Sequence, residues 1–176
     1  MIVVLNGSFG VGKSTVARLL RDGMSRGAVY NPEWVGSVLM RLPLVRLEGS
    51  GTDDFQDIAL WRRSVIAGVR CFRSVTRGPV IVPMAFSRYD YLDEVVTGLK
   101  PVDPRVRVFC LRARSETIRK RLEIRGGRAG ALAWSTLKAE ACAAAHRDER
   151  FGEPIDTEKV TAREVAAQIL TRLGPF

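Results

Sequence analysis

A glycine-rich segment near the amino terminus has the residue types and the spacing of a loop that binds phosphate. The segment reads GSFGVGKST from Gly7 to Thr15 and fits the pattern G-x-x-x-x-G-K-[ST]. Glycines have no Cβ atom, so the backbone can turn its amide groups inward around an anion. In such loops the lysine contacts the β- and γ-phosphates, and the hydroxyl after it ligates Mg²⁺. We predict a nucleoside triphosphate site, with Ser14 as the metal ligand, formed by Gly7, Ser8, Phe9, Gly10, Val11, Gly12, Lys13, Ser14 and Thr15.

The residues on both sides of this phosphate-binding loop supply the strand and the helix that the motif needs. Residues 2–5 form an apolar run with β-branched side chains, typical of a strand that is buried on both faces. Residues 16–20 have the pattern of the first turns of a helix, whose amino end carries unpaired N–H groups and a partial positive charge. The alternative is a merely glycine-rich turn, which does not require this context.

A second group of candidate phosphate ligands lies in the segment R-L-x-x-R-x-x-R, which begins at Arg121. Arg121 and Arg125 are four residues apart, so a helix places them on one face, and Arg128 follows in a glycine-rich stretch. Guanidinium groups match pairs of phosphate oxygens, and the glycines provide a hinge. We predict a lid over about 121–135, in which Arg121 and Arg125 bind the nucleotide and Arg125 and Arg128 assist catalysis. The alternative is a solvated basic helix end.

The carboxylates that would complete a phosphoryl-transfer site are less clearly marked. Many proteins with such a loop end a neighbouring strand with an aspartate near Mg²⁺, but here the third predicted strand carries Pro83 and Met84 at that place. Glu33, after the second predicted strand, and Asp57, in the first turn of a predicted helix, are the next candidates. We predict that Lys13, Glu33 and Asp57 act in catalysis, with Glu33 accepting a hydroxyl proton or holding a metal-bound water. For both carboxylates the alternative is a charge that stabilises a helix amino end.

Strand-like and helix-like segments alternate along the rest of the sequence. A capping box at Thr161 and Glu164 marks the start of the last helix. This alternation predicts an α/β fold of three layers, in which a parallel sheet of about five strands has helices on both faces. We expect a single domain over 1–176. Beyond the first strand, the predicted strands cover 28–30, 79–86, 106–111 and 154–157, and the predicted helices cover 32–41, 55–75, 90–99, 115–124 and 132–147, with a loop over 43–54.

The composition excludes several classes of protein. The net charge of +9 suits an anionic partner, but no basic run has interleaved aromatic residues, so nucleic acid is not the predicted main partner. The sequence has no apolar run of about 20 residues, and we predict no membrane span. Cys71, Cys110 and Cys142 are too far apart for a metal-binding spacing and suit a reduced, cytoplasmic protein. The one histidine, His146, excludes a multi-histidine metal site, and its polar neighbours predict a solvated helix residue.

The phosphate-binding loop and the late arginine segment together resemble the nucleoside-monophosphate-kinase-like phosphotransferases. Within that group, the blocks LNGSFGVGKST, VYNPEWVGSVL, DDFQDIALWR and VIVPM are similar to those of bacterial tunicamycin-resistance proteins and extend over most of the chain. The resemblance implies that the chain binds ATP and Mg²⁺ and acts on tunicamycin or a similar nucleoside antibiotic. Either a hydroxyl of the drug is phosphorylated or the drug is captured in an ATP-dependent way without turnover. A housekeeping nucleotide or metabolite kinase is a further alternative, and the oligomeric state stays open.

Other residues near these blocks have expected roles in binding. Gln56 and Trp61 are candidates to hold a sugar or uracil ring, although Trp61 also fits the apolar stripe of its helix. Arg62 suits either a phosphate contact or a solvated helix face. Asn6, directly before the loop, is expected to hydrogen-bond the loop backbone. By analogy with related kinases, the adenine ring is expected to be surrounded by Phe151, Pro154 and Ile155.

Overall fold

One parallel sheet carries the phosphate-binding loop in a computed structural model that describes residues 1–39, 54–126 and 129–175. Its strands are β1 (Ile2–Gly7), β2 (Ala28–Val29), β3 (Val80–Met84), β4 (Val106–Arg112) and β5 (Glu153–Asp156). They lie in the order β2-β3-β1-β4-β5, so the strand that leads into the loop is central. The predicted α/β fold with a parallel sheet is confirmed.

Helices follow the strands and cover both faces of the sheet. Short 3₁₀ turns over Phe55–Asp57 and Glu149–Phe151 precede α3 and β5, respectively. None of the helices in the described ranges is both long enough and apolar enough to cross a membrane. The helices are α1 (Lys13–Gly23), α2 (Pro32–Leu39), α3 (Ala59–Val75), α4 (Tyr89–Leu99), α5 (Ser115–Arg125), α6 (Ala129–Ala145) and α7 (Ala162–Leu173).

The apolar side chains of β1 contribute to both halves of the core, one on each face of the sheet. Ile2 and Val4 pack into a cluster with residues of α3 and α4, whereas Val3 and Leu5 pack into a cluster with residues of α1 and α7. Successive side chains of a strand point to opposite faces of the sheet, and all four of these are fully buried. The continuous apolar run therefore reflects helices on both faces, as predicted.

Helix limits differ from the predicted ones at two places. The predicted helix over 55–75 begins only after Ile58, because the Asp54 carboxylate accepts the N–H of Gln56 at 3.3 Å and holds a tight 3₁₀ turn first. The predicted helix over 132–147 begins earlier, at Ala129, since alanine favours helix, and it ends at Ala145. The end of the predicted helix over 32–41 and the predicted loop up to residue 53 lie outside the described residues.

Parallel strands place all their carboxyl ends at one edge of the sheet. The phosphate-binding loop follows β1 at this edge, and the amino ends of α2 and α5 follow β2 and β4. In open parallel sheets ligands bind beyond this edge. The phosphate-binding loop and the starts of α2 and α5 therefore lie at the same edge, although they are distant in sequence.

Candidate functional site

The phosphate-binding loop turns from β1 into α1 through glycines with positive φ angles. Gly10 has φ of 76° and Gly12 has φ of 106°, and Gly12 caps the amino end of α1. A Cβ atom on Gly10 would lie 2.9 Å from Cγ of Leu122, whereas one on Gly12 would have no atom within 4 Å. Gly10 thus lets α5 pack directly on the loop, while Gly12 provides the backbone angle that begins the helix.

Lys13 is held inside this loop. Its side-chain nitrogen donates hydrogen bonds to the carbonyl oxygens of Gly7 at 2.8 Å and Ser8 at 2.9 Å. Burial lowers the pKa of Lys13 from 10.5 to about 8, and the negative charge of Glu33 acts in the opposite direction. The ammonium group is therefore mostly charged at neutral pH and is placed where the motif predicts a phosphate ligand.

A cavity of about 630 Å³ opens in front of the loop and brings distant residues together. Glu33 from the start of α2 reaches it, as do Arg121 and Arg125 from α5. Gly7, Ser8 and Val11 are not among the described residues that line it, and the N–H of Val11 donates to the carbonyl oxygen of Ser8 at 3.3 Å. The predicted loop residues that line the cavity are Phe9, Gly10, Gly12, Lys13, Ser14 and Thr15.

The cavity also includes residues that the sequence analysis missed. Arg18 lies four residues after Ser14 on α1, and Ser135 lies on α6. The four-residue spacing from Ser14 was a usable signal for Arg18, because it places both side chains on one face of the helix. For Ser135 the sequence carries no comparable signal, since its position depends on how α6 packs against α5.

The predicted lid arginines differ in how firmly they are held. Arg121 donates hydrogen bonds to the carbonyl oxygen of Thr157 at 2.6 Å and to its hydroxyl at 3.1 Å. Arg125 is exposed in the last turn of α5, directly before Gly126, whose φ is 69°. Arg128 lies outside the described residues. Arg121 is thus a fixed wall of the cavity, and Arg125 is the more accessible of the two.

The two predicted carboxylates lie in different places. Asn31 accepts the backbone N–H of Glu33 at 3.0 Å, which fixes the first turn of α2 with Glu33 facing the cavity. Asp57 is exposed at the end of the 3₁₀ turn and is not among the described residues that line this cavity. Glu33 is therefore the predicted carboxylate that shares a cavity with Lys13, and a catalytic role for Asp57 stays a prediction.

The prediction that His146 is a solvated residue was wrong. His146 is 2% exposed, its Nε2 lies 2.7 Å from the carbonyl oxygen of Phe86, and its ring packs on Phe151 at 5.1 Å. Burial lowers its pKa to about 4, so the neutral ring donates its Nε2 proton to Phe86. The side-chain oxygen of Asn6 accepts the backbone N–H of Phe86 at 3.0 Å, rather than bonding the phosphate-binding loop as expected.

Several residues with an expected binding role belong to the interior instead. Trp61 is buried in the core and donates a hydrogen bond from its ring to the carbonyl oxygen of Pro32 at 3.2 Å. Arg62 is 8% exposed, because Glu94 and the carbonyl oxygen of Gln56 accept its hydrogen bonds, so it is neither solvated nor part of the cavity. The core also contains two residues that were expected around adenine, Phe151 and Ile155.

Comparisons with solved structures find the same architecture over nearly the whole chain. The tunicamycin resistance protein of Deinococcus radiodurans is 24% identical, with 99% of this chain and 96% of that chain covered at a TM-score of 0.73. A sugar kinase from Janibacter sp. is 21% identical, with 98% and 93% covered at a TM-score of 0.65. The shikimate kinase of Acinetobacter baumannii is 17% identical, with 98% and 92% covered at a TM-score of 0.64.

The chain has the fold of a P-loop kinase, in which P-loop is the name of the phosphate-binding loop. The resemblance drawn from the sequence blocks is thereby confirmed, since a tunicamycin resistance protein is among these structures. No protein-family model matches the chain, and the comparison with curated proteins gives no match either. In this P-loop kinase fold, the cavity in front of Lys13 lies where the loop after β1, the start of α2 and the α5–α6 pair converge.

Proposed function

We propose that the protein is an ATP-dependent phosphotransferase that acts on a small nucleoside-type antibiotic, tunicamycin or a similar compound. The observation that carries this proposal is the single cavity that unites the P-loop, Glu33 and two arginines of α5. Phosphoryl transfer needs positioning and charge neutralisation more than covalent chemistry, and these groups supply both. The likeness to the Deinococcus protein supports the substrate class.

The phosphates of ATP would bind along the loop, and the base would lie beside Arg121. A smaller cavity of about 230 Å³ adjoins the loop and shares Gly12, Thr15 and Arg121 with the larger one. Its other walls include the apolar side chains of Val160 and Val165. Guanidinium and apolar groups suit the faces of a purine ring. We therefore assign this cavity to adenine, in place of Phe151 and Ile155.

The residues present suit a magnesium ion in the larger cavity. Ser14 is exposed at the amino end of α1, and the Glu33 carboxylate lines the same cavity, so both types of oxygen that Mg²⁺ prefers are at hand. Ser14 would ligate the ion. When bound, Mg²⁺ neutralises charge on the β- and γ-phosphates.

Each side chain has its own role in the proposed phosphoryl transfer. An acceptor hydroxyl oxygen attacks the γ-phosphorus, the bond from that phosphorus to ADP breaks, and the hydroxyl proton passes to the Glu33 carboxylate. Lys13 stabilises the negative charge that develops on the phosphate oxygens, and Arg125 does so from the lid side. Arg128, beyond Gly126, is proposed to add a further positive charge as the lid closes.

Mass spectrometry tests the proposal directly. Incubation of the protein with Mg-ATP and tunicamycin should yield ADP and a drug that is heavier by one phosphate. A Lys13→Ala variant should yield neither, because the γ-phosphate loses its ammonium partner. The protein used must first be shown to bind Mg-ATP. If only unmodified drug is then recovered after the incubation, the phosphotransferase is refuted.

A second function, ATP-dependent capture of the drug without turnover, is favoured by one observation. The end of β3 carries Pro83 and Met84 rather than a carboxylate, so the usual partner of the Mg²⁺ shell is missing at this strand. Under this alternative, calorimetry should show tighter drug binding in the presence of Mg-ATP while the mass of the drug stays unchanged. A panel of nucleosides and sugars as acceptors would reveal a housekeeping kinase.

A further inference from the structure

A second large cavity, of about 770 Å³, lies at the edge of the sheet where β1, β4 and β5 end. Ser8 after β1, Arg112 at the end of β4 and Asp156 at the end of β5 line it, together with residues at the end of α6. It shares no lining residue with the cavity in front of Lys13, and the proposed phosphoryl transfer does not use it. Its volume is within the range of pockets that hold small molecules.

Arg112 brings a positive charge into this cavity that no carboxylate of the described residues neutralises. The half-buried guanidinium group donates one hydrogen bond, from Nη2 to the carbonyl oxygen of Asp148 at 3.2 Å, and its Nε is buried without a hydrogen-bond partner in the same part of the chain. Burial raises the pKa of the nearby Cys110 thiol and Arg112 acts against that rise, but a thiol is a weak acceptor. Most of the five N–H donors of Arg112 are therefore not used by the protein.

The other two arginines of this cavity differ in how they are neutralised. Arg114 is paired with Glu158, whose carboxylate accepts its backbone N–H at 2.9 Å and its Nε at 3.1 Å. Arg147 is exposed directly after His146 and has no carboxylate partner within the described ranges. Arg112 and Arg147 are thus the two cations of the cavity that are available to an anion.

Ser8 adds an unpaired hydroxyl in the most buried part of this cavity. The residue is 1% exposed, and its carbonyl oxygen accepts a hydrogen bond from Lys13 at 2.9 Å. Its hydroxyl, in contrast, makes no hydrogen bond to the residues that the structure describes. Because buried hydroxyl groups usually have a partner, this one favours a polar ligand in the cavity.

We propose that this cavity binds a small organic molecule that carries one phosphate or carboxylate group and several hydroxyl or amino groups. The anionic group would contact Arg112, with the Ser8 hydroxyl and Arg147 as further donors. Glu116 and Asp156, which are exposed and line the same cavity, would accept hydrogen bonds from the hydroxyl or amino groups and would repel a polyanion such as a triphosphate. This site goes beyond the proposed function and does not depend on it.

Calorimetry tests this site on the full chain with the P-loop saturated by Mg²⁺ and a non-hydrolysable ATP analogue. Saturation keeps the probes out of the nucleotide site. The probes are glucose 6-phosphate and gluconate, with glucose as the neutral control and inorganic phosphate as the bare anion. We expect at least one of the two organic anions to bind, and glucose to bind at least about tenfold more weakly, because hydrogen bonds to a charged group are the stronger ones. Comparison of the two anions shows whether the site prefers phosphate or carboxylate.

Substitutions locate the binding. Arg112→Gln should weaken binding of the organic anion about tenfold, and Arg147→Gln about threefold, because the second cation is more exposed to water. Arg163→Gln, which removes an exposed charge on α7, is the matched control and should leave the Kd unchanged. Amide NMR shifts on addition of the probe should be largest over residues 112–116 and 146–147. Since Arg147 is exposed, its variant keeps the test valid even if Arg112→Gln is unstable.

Each of the other outcomes overturns the proposal. If neither organic anion binds at about 10 mM, if glucose binds equally well, or if neither arginine variant changes the Kd, the site is refuted. Binding that disappears when the ATP analogue is present belongs to the P-loop and also refutes it. If inorganic phosphate binds as tightly as glucose 6-phosphate, the cavity holds an adventitious ion only.

The proposed function fails separately. If the ATP analogue does not bind to the wild-type protein, the phosphotransferase is refuted. The second site is then decided by the same titrations in Lys13→Ala without nucleotide, where loss of binding in Arg112→Gln supports the site and its absence overturns it.

Discussion

The contact between Gly10 and α5 leads to a quantitative prediction for Gly10→Ala. Gly10 has φ of 76°, and a Cβ atom at this position would lie 2.9 Å from Cγ of Leu122 and 3.3 Å from the carbonyl oxygen of Ile118. Leu122 is 5% exposed, so its side chain has little room to move away. The substitution therefore strains both the backbone of the P-loop and its packing against α5.

The two effects have separate magnitudes. A residue with a Cβ atom loses about 1–2 kcal/mol in the left-handed region. Forcing an extra carbon into a well-packed site destabilises by a further 1–3 kcal/mol, approximately. We expect Gly10→Ala to lower the free energy of unfolding by about 2–5 kcal/mol. The matched control is Gly12→Ala, because Gly12 has φ of 106° but no atom within 4 Å of its Cβ position, so only the backbone effect applies.

Urea unfolding followed by tryptophan fluorescence measures both variants against the wild-type protein. Gly10→Ala should lose distinctly more stability than Gly12→Ala. Combining Gly10→Ala with Leu122→Ala should cost less than the sum of the single changes, because the second substitution removes the crowded carbon atoms. Equal losses for the two glycine variants, within about 0.5 kcal/mol, would refute the packing of α5 on the loop.

Three further predictions concern ionisable groups. Glu33→Gln should abolish phosphoryl transfer while leaving the affinity for Mg-ATP within about threefold in calorimetry, since the amide accepts no proton; unchanged turnover would remove Glu33 from the mechanism. The pKa of Lys13 is about 8 in the folded protein, whereas its ordinary value is 10.5. Between these two pH values the folded state therefore binds fewer protons than the unfolded state. The contribution of Lys13 to the free energy of unfolding should therefore rise over that pH range, while ATP affinity falls as the amine becomes neutral, which calorimetry at pH 7 and pH 9.5 would test. Burial opposes ionisation of Asp103, but hydrogen bonds from the Met1 amino group, the N–H of Arg105 and the Arg73 side chain lower its pKa from 3.8 to about 2. Asp103→Asn should thus destabilise most above pH 4, and the difference from wild type should vanish as the pH falls through about 2; a difference independent of pH would contradict this assignment.

The parts of the fold that could be predicted from sequence are those with local causes. The run at residues 2–5 predicts a doubly covered strand because every side chain in it is apolar. The capping box at Thr161 and Glu164 places the start of α7, and the structure shows both of its hydrogen bonds. The P-loop motif combines a strand, a loop and a helix within a few residues, so its context is readable from the sequence.

The parts that could not be predicted depend on partners far away in the chain. The polar run around His146 is typical of a solvated helix end, but the carbonyl oxygen of Phe86 and the ring of Phe151 bury the imidazole. Arg62 follows the same rule, since its buried position requires Glu94 from another helix. Periodicity and spacing do not reveal such a pairing, because the partner comes from an element that is distant in sequence and is brought near only by the packing of the fold.

Two hydrogen bonds at Phe86 connect the end of α6 to β1. Asn6 holds the amide of Phe86 and His146 holds its carbonyl, so the last turn of α6 is anchored to the root of the P-loop. If the proposed lid closes by rotation of α6 about this anchor, Ser135 moves farther than the residues near His146, because it lies eleven residues, about 16 Å, away along the helix. Such a closure would need no unfolding of α6.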